Sequence, residues 1–198
     1  MKRIVITWLL CVLALVLLFA WVGDNILPKV KQGDSGETLI NSDFTLQNGN
    51  GKIVTDKDFR SKYMLVYFGY THCPDVCPTT LLLISNALAD IGATAGRIQP
   101  IFITVDPDRD SPKATADYAG HFSKELLGLS GTPGQIKHVA DGFKVYYTKV
   151  DQKNSALGYV VDHSGFIYLI GPDGKYVDHF AANVSEQELA DGLSHEVH

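Results

Sequence analysis

Two cysteines four residues apart, Cys73 and Cys77, stand in the stretch Cys-Pro-Asp-Val-Cys-Pro. On an early helical turn this spacing puts both side chains on one face, so the sulfurs can grip one ion or close a small disulfide. Either chemistry needs thiolate, and the partial positive charge at a helix N-terminus would leave both sulfurs more ionised than a free cysteine. The plainer alternative, two cysteines buried in a core, fits poorly, because Pro74, Asp75, Pro78 and Thr79 surround them and no apolar period includes both. A third group, His163, lies in Val-Asp-His-Ser just ahead of a hairpin pattern. Taken alone, it reads as readily as a surface loop residue as a ligand. His72 adjoins Cys73, and His121, His138 and His179 fall in helix or strand patterns. His195 and His198 close the chain in what reads as a disordered tail.

The surrounding pattern says what must position the thiols. Residues 64–68, Met-Leu-Val-Tyr-Phe, read as a strand buried on both faces that runs through Gly69 into the thiol loop. Behind it, residues 79–91 place Ile84, Ala87, Leu88 and Ile91 at amphipathic helical spacing. Pro74 and Pro78 stiffen the loop between. After a loop over residues 92–97, residues 100–105 form a second buried strand, and the intervening helix implies a parallel, right-handed crossover. Residues 106–110, Asp-Pro-Asp-Arg-Asp, then leave the sheet on the edge that carries the thiols. Their carboxylates can tune a metal site, receive a partner or simply make a turn.

Further along, Ser111 and Pro112 open a helix to about residue 122. Thr132 begins a capping box ahead of Ile136, Val139, Ala140 and Phe143. Residues 145–150 alternate as a strand, and residues 159–162 lead into His163. Residues 166–170 and 175–180 flank Pro172-Asp173-Gly174 as a hairpin. Ser185 caps the last helix. Near the start, residues 44–46 and 52–54 flank Asn48-Gly49-Asn50-Gly51, another hairpin signal.

The motifs Phe-Gly-Tyr-Thr-His-Cys-Pro-Asp-Val-Cys-Pro, Val-Asp-Pro-Asp-Arg-Asp and Val-Asp-His-Ser, in that order, resemble the Sco (SenC) family of membrane-anchored, thioredoxin-like copper proteins. The resemblance runs from Asp43 to the last helix. It implies an α/β fold, a thioredoxin-like sheet flanked by helices, with an N-terminal β-hairpin and one preceding transmembrane helix. It further implies copper, as copper(I) or copper(II), bound by Cys73, Cys77 and His163. The implied role is delivery of copper to the binuclear centre of cytochrome c oxidase, or reduction of that centre's cysteines. Implied partners are the copper-bearing oxidase subunit and another copper donor or a thioredoxin-like reductant. By donor chemistry alone, two thiolates and an imidazole admit zinc as well as copper.

The competing class is a thiol-disulfide oxidoreductase or peroxidase using Cys73 and Cys77 as its redox pair, acting on the oxidase subunit or other extracytoplasmic proteins. Three residues between the cysteines, rather than the usual two of such enzymes, suit a shared ion better. Copper sensing or buffering is a third reading.

At 198 residues, 45% hydrophobic, the chain suits one globular domain plus an accessory segment. Lys2 and Arg3 precede uncharged residues 4–22, a span-length stretch whose flanks place the rest outside the cytoplasm. The expected plan is an anchor at 1–22, a linker at 23–42, the thioredoxin-like domain at 43–194 and a tail at 195–198. Cys11 reads as a passive thiol facing lipid. The expected site is the bacterial inner membrane with the domain in the periplasm, or alternatively the mitochondrial inner membrane. The net charge of −5 repels nucleic acid. No nucleotide-binding glycine loop, HExxH or Gly-x-Ser-x-Gly supports those enzyme classes.

Overall fold

In the computed structural model, which describes residues 40–152 and 158–198, the first hairpin forms at the Asn-Gly-Asn-Gly turn. β1 (Thr45–Gln47) and β2 (Ile53–Thr55) pair antiparallel, and Gly51 takes a φ of 75° that favours glycine. The hairpin is fastened to the domain by Gln47 and Ser130, which exchange backbone hydrogen bonds of 2.7 and 3.0 Å. The expected anchor and most of the linker, with Cys11, lie outside the described residues. Among the described residues no helix is long and apolar enough to cross a membrane.

The thiol unit follows as β3 (Tyr63–Gly69) and α1 (Val76–Asp90). Every β3 residue after Tyr63 is buried, as a strand covered on both faces requires. The helix starts three residues earlier than its apolar period suggested, because residues of its first turn face the thiol site as well as the core. Residues 92–97, read as a loop, make a short 3-10 helix, Gly92–Arg97. β4 (Ile98–Thr104) then pairs parallel with β3 from Tyr63↔Ile98 to Gly69↔Thr104, as the crossover argument requires.

α2 (Pro112–Gly120) is capped by Ser111, whose hydroxyl accepts from the Ala114 N–H. β5 (Leu127–Leu129) extends the parallel run. α3 (Pro133–Phe143) carries the Thr132–Gln135 capping box and buries Ile136, Val139, Ala140 and Phe143, the face read from the sequence. β6 (Tyr147–Asp151) and β7 (Tyr159–His163) form a separate two-stranded ribbon. β8 (Phe166–Ile170) and β9 (Tyr176–Ala181) return antiparallel to complete a five-stranded sheet of order β5-β4-β3-β8-β9. α4 (Glu186–Glu196) packs against α1 and begins with the Ser185–Glu188 capping box.

Two edges of the folded unit differ from the sequence reading. His195 and Glu196, expected in a disordered tail, form the last turn of α4, and Val197 is buried beyond them. At the other end, the Asn41 N–H donates to the Gly142 carbonyl and the buried Ser42 hydroxyl to the Gly174 carbonyl. Backbone and side-chain partners distant in sequence recruit residues whose composition alone reads as linker.

Candidate metal centre

The cysteine limb is built from β3 outward. β3 ends at Gly69, where a Cβ would come within 2.8 Å of the Cys77 sulfur and 2.9 Å of Phe102. Only glycine lets the sulfur approach so close to the sheet. The chain then turns at Tyr70 and Thr71. Cys73 precedes α1 rather than sitting on it, while Cys77 is its second residue. The expectation of two sulfurs on one helical turn is therefore corrected: Asp75 is the N-cap, and the helix begins too late to include Cys73. The two still meet, because the Cys77 N–H donates to the Cys73 sulfur at 3.4 Å.

Their protonation also departs from the expectation that both would ionise readily. Cys73 is half-buried, and its thiol is held well below the ordinary range, chiefly by the hydrogen bond from Cys77; His163 and the Asp75 and Cys77 backbone N–H groups also contribute. Cys77 is fully buried and pushed upward, first because it donates its proton to Cys73 and then by burial. Two thiols so close share one proton rather than lose both.

His163 ends β7 and arrives from 86 residues away, its Nε2 3.5 Å from the Cys77 sulfur. Its Nδ1 lies 3.1 Å from the Ser164 carbonyl. A carbonyl only accepts, so Nδ1 is the donor to Ser164, and Nε2 is the ring nitrogen turned toward the sulfur, the usual orientation of a histidine ligand. A sulfur and a nitrogen sharing a tetrahedral ion at the usual ~2.3 and ~2.0 Å lie about 3.5 Å apart, so this pair fits a metal by distance as well as by chemistry. Among the described residues no three His, Cys, Asp or Glu side chains already stand at ligating geometry. To hold one ion together, Cys73, Cys77 and His163 would have to draw closer by side-chain motion. Cys73 and His163 line an open groove of about 290 Å³ with Tyr70, Val76 and Val160, and Cys77 lies behind it.

Several residues around the site were not singled out from the sequence. Tyr67, read as one of five strand residues, is fully buried with its hydroxyl near Cys77 and Thr80, and burial followed by the neighbouring Cys77 raises its pKa. The imidazole of His163 meets the rings of Tyr67 and Tyr70 edge-on at 6.2 and 6.1 Å. Asp110, fully buried, accepts from the Thr71 N–H at 2.8 Å, the Thr71 hydroxyl at 2.6 Å and the Thr104 hydroxyl at 2.7 Å. It ties the start of the thiol loop to the end of β4. The one available signal was the Asp-Pro-Asp-Arg-Asp run, which a turn explains equally well. His72 is exposed, with Nδ1 3.0 Å from the Thr71 hydroxyl and 3.4 Å from Asp110. It reinforces this anchor and does not face the groove. His121, His138 and His179 are exposed.

The model of the family described as SCO1/SenC matches residues 32–198. The chain belongs to the SCO1/SenC family. The mitochondrial SCO1 homologue of Homo sapiens is 39% identical over 170 residues, spanning 85% of this chain and 56% of that protein. The chain thus covers little more than half the length of this relative. Among solved structures of the family, copper-bound ScoI of Arabidopsis thaliana superposes with a TM-score of 0.75 at 38% identity, covering 80% of this chain and 98% of that one. Copper-bound ScoI of Bradyrhizobium japonicum gives 0.71 at 43% identity, covering 79% and 99%. The α/β, thioredoxin-like fold expected of this SCO1/SenC chain is the fold of these proteins.

Proposed function

We propose that Cys73, Cys77 and His163 bind copper and that the protein is a metallochaperone for the binuclear copper centre of cytochrome c oxidase. The observation that carries this reading is the convergence of His163 Nε2 at 3.5 Å from the Cys77 sulfur with the Cys73 sulfur 3.4 Å from the Cys77 N–H. Two sulfurs suit copper(I), and the imidazole adds the harder nitrogen that copper(II) prefers. Membership of a family whose solved relatives hold copper favours copper over zinc. Cys73 and His163 border the groove, so an acceptor's ligands can replace them while Cys77 still holds the ion. The copper-bearing oxidase subunit is the acceptor this role requires, with a separate copper donor or thioredoxin-like reductant upstream. Residues 1–22 would anchor the domain to a bacterial inner membrane, facing the periplasm, or to the mitochondrial inner membrane.

The test is a competition titration of reduced protein with copper(I), copper(II) and zinc. Tight copper binding lost in Cys73→Ser and Cys77→Ser supports the reading; a preference for zinc sinks it. Restoration of oxidase activity in a deletion strain, by the gene or by added copper, tests the pathway. Protease treatment of spheroplasts tests the orientation.

One observation favours a second reading. A half-exposed Cys73, its thiol pKa held down, beside a buried Cys77, its thiol pKa pushed up, is the layout of an attacking and a resolving thiol. Disulfide-reductase turnover by metal-free protein, unaffected by His163→Ala, would favour the oxidoreductase.

A further inference from the structure

The 106–110 loop touches both limbs of the site. Asp110 holds Thr71 and with it the thiol loop, as described. At the other end, fully buried Asp106 pairs with the Arg109 guanidinium and accepts from the Tyr159 hydroxyl at 2.8 Å. Arg109 in turn donates to the Tyr159 carbonyl at 3.0 Å, and its guanidinium carbon sits 3.6 Å over the Tyr159 ring. It also lies 5.8 Å from the centre of the Tyr70 ring, whose edge-on neighbour is His163. Asp108 adds a pair with Lys149 on the facing strand, and Lys149 also lies 4.7 Å from the Tyr159 ring.

Tyr159 begins β7 and His163 ends it, on a ribbon that is not part of the main sheet. The ribbon shares no ladder with the sheet; the buried Val161 and the short link from His163 to β8 hold one part of it, and the contacts at Tyr159 hold the other end. A planar guanidinium that bonds a carboxylate edge and a carbonyl while stacking on a ring fixes orientation as well as distance, which a lysine cannot reproduce.

We propose that Arg109, seated on Asp106, is a positioning residue that sets the β6–β7 ribbon at the height where the His163 imidazole meets the Cys77 sulfur. The role rests on the copper reading for its consequence, though not for its geometry. The histidine matters most for copper(II), whereas copper(I) tolerates two thiolates alone. Loosening the clasp therefore weakens copper(II) selectively. The oxidation state that loses affinity is disfavoured, so the copper(II)/copper(I) potential rises by about 59 mV for each tenfold loss.

The experiment compares the full chain with Arg109→Gln, Arg109→Lys and Tyr159→Phe. Amide hydrogen exchange of the ribbon is measured in metal-free protein, and copper affinities, potential and copper(II) nitrogen hyperfine coupling in loaded protein. Arg109→Gln is expected to speed ribbon exchange and weaken copper(II) about tenfold, with copper(I) within about threefold. Arg109→Lys does not restore the copper(II) affinity. Tyr159→Phe, which keeps the ring and deletes one hydrogen bond, shifts both readouts in the same direction by less, and it carries the test if Arg109→Gln fails to fold. Unchanged exchange in both variants, a loosened ribbon with unchanged copper(II) affinity, or equal loss of both copper states overturns the proposal. Absence of copper binding by the unsubstituted protein sinks the copper reading instead and leaves the exchange result as a separate test of the clasp.

Discussion

The two limbs of the centre are held in opposite ways. The cysteines sit where a fully buried central strand meets a helix, and 2.8 Å would separate the Cys77 sulfur from a Cβ at Gly69. The histidine sits on a ribbon outside the sheet, joined to the rest by the buried Val161 and, at the far end of its strand, by a buried carboxylate, a guanidinium and two tyrosines. Local chain geometry brings the sulfurs together, whereas the imidazole reaches them only through contacts between segments distant in sequence. On the copper reading proposed above, the sulfurs would form a fixed, soft half and the imidazole an adjustable half that separates the two oxidation states.

The harshest way to break that contrast is to remove a sulfur. Cys77→Ser should weaken both copper states by at least several hundred-fold, about 3.5 kcal/mol or more, because serine offers a protonated oxygen. Oxidation to the disulfide should do the same, and in return copper(I) should raise the measured reduction potential of the pair by linkage. A potential flat with copper(I) activity would favour the oxidoreductase. His163→Ala sharpens the contrast: copper(II) should weaken by roughly ten- to a hundredfold and copper(I) by only a few-fold. Equal losses would mean that the two limbs act as one.

Stability should show the same asymmetry. Gly69→Ala forces a methyl against the Cys77 sulfur and Phe102 and should cost about 1–3 kcal/mol in urea unfolding. Tyr159→Phe should cost about 1 kcal/mol, the usual worth of one hydrogen bond. The smallest effect is the pH signature of the reduced pair. Cys73, depressed in the folded protein, contributes stability that is full above the unfolded thiol's pKa of ~8.5 and is lost as pH falls through its lowered value. Cys77, raised, contributes stability that is full below ~8.5 and is lost as pH rises through its raised value. Thiolate absorbance from the pair should therefore hold at one sulfur across neutral pH, with Cys73 alkylated there in preference to Cys77. Equal alkylation of both would refute the shared proton.

Much of this was legible in the residues themselves. The buried run into Gly69, the caps at Ser111, Thr132 and Ser185, and the Asn-Gly-Asn-Gly turn are local signals, since helix caps and turns are decided by neighbours within a few positions. The two thiols and their proximity were equally local. Tertiary structure alone decided which thiol is buried and that Tyr67 and Tyr70 flank the imidazole. It also decided that an Asp-Pro-Asp-Arg-Asp run, indistinguishable in sequence from a turn, joins both limbs. The residues it joins, Thr71 to Asp110 and Asp106 to Tyr159, are 39 and 53 positions apart. Composition and periodicity report on neighbours along the chain, whereas desolvation, a shared proton and a stacked guanidinium arise only when distant segments are packed together.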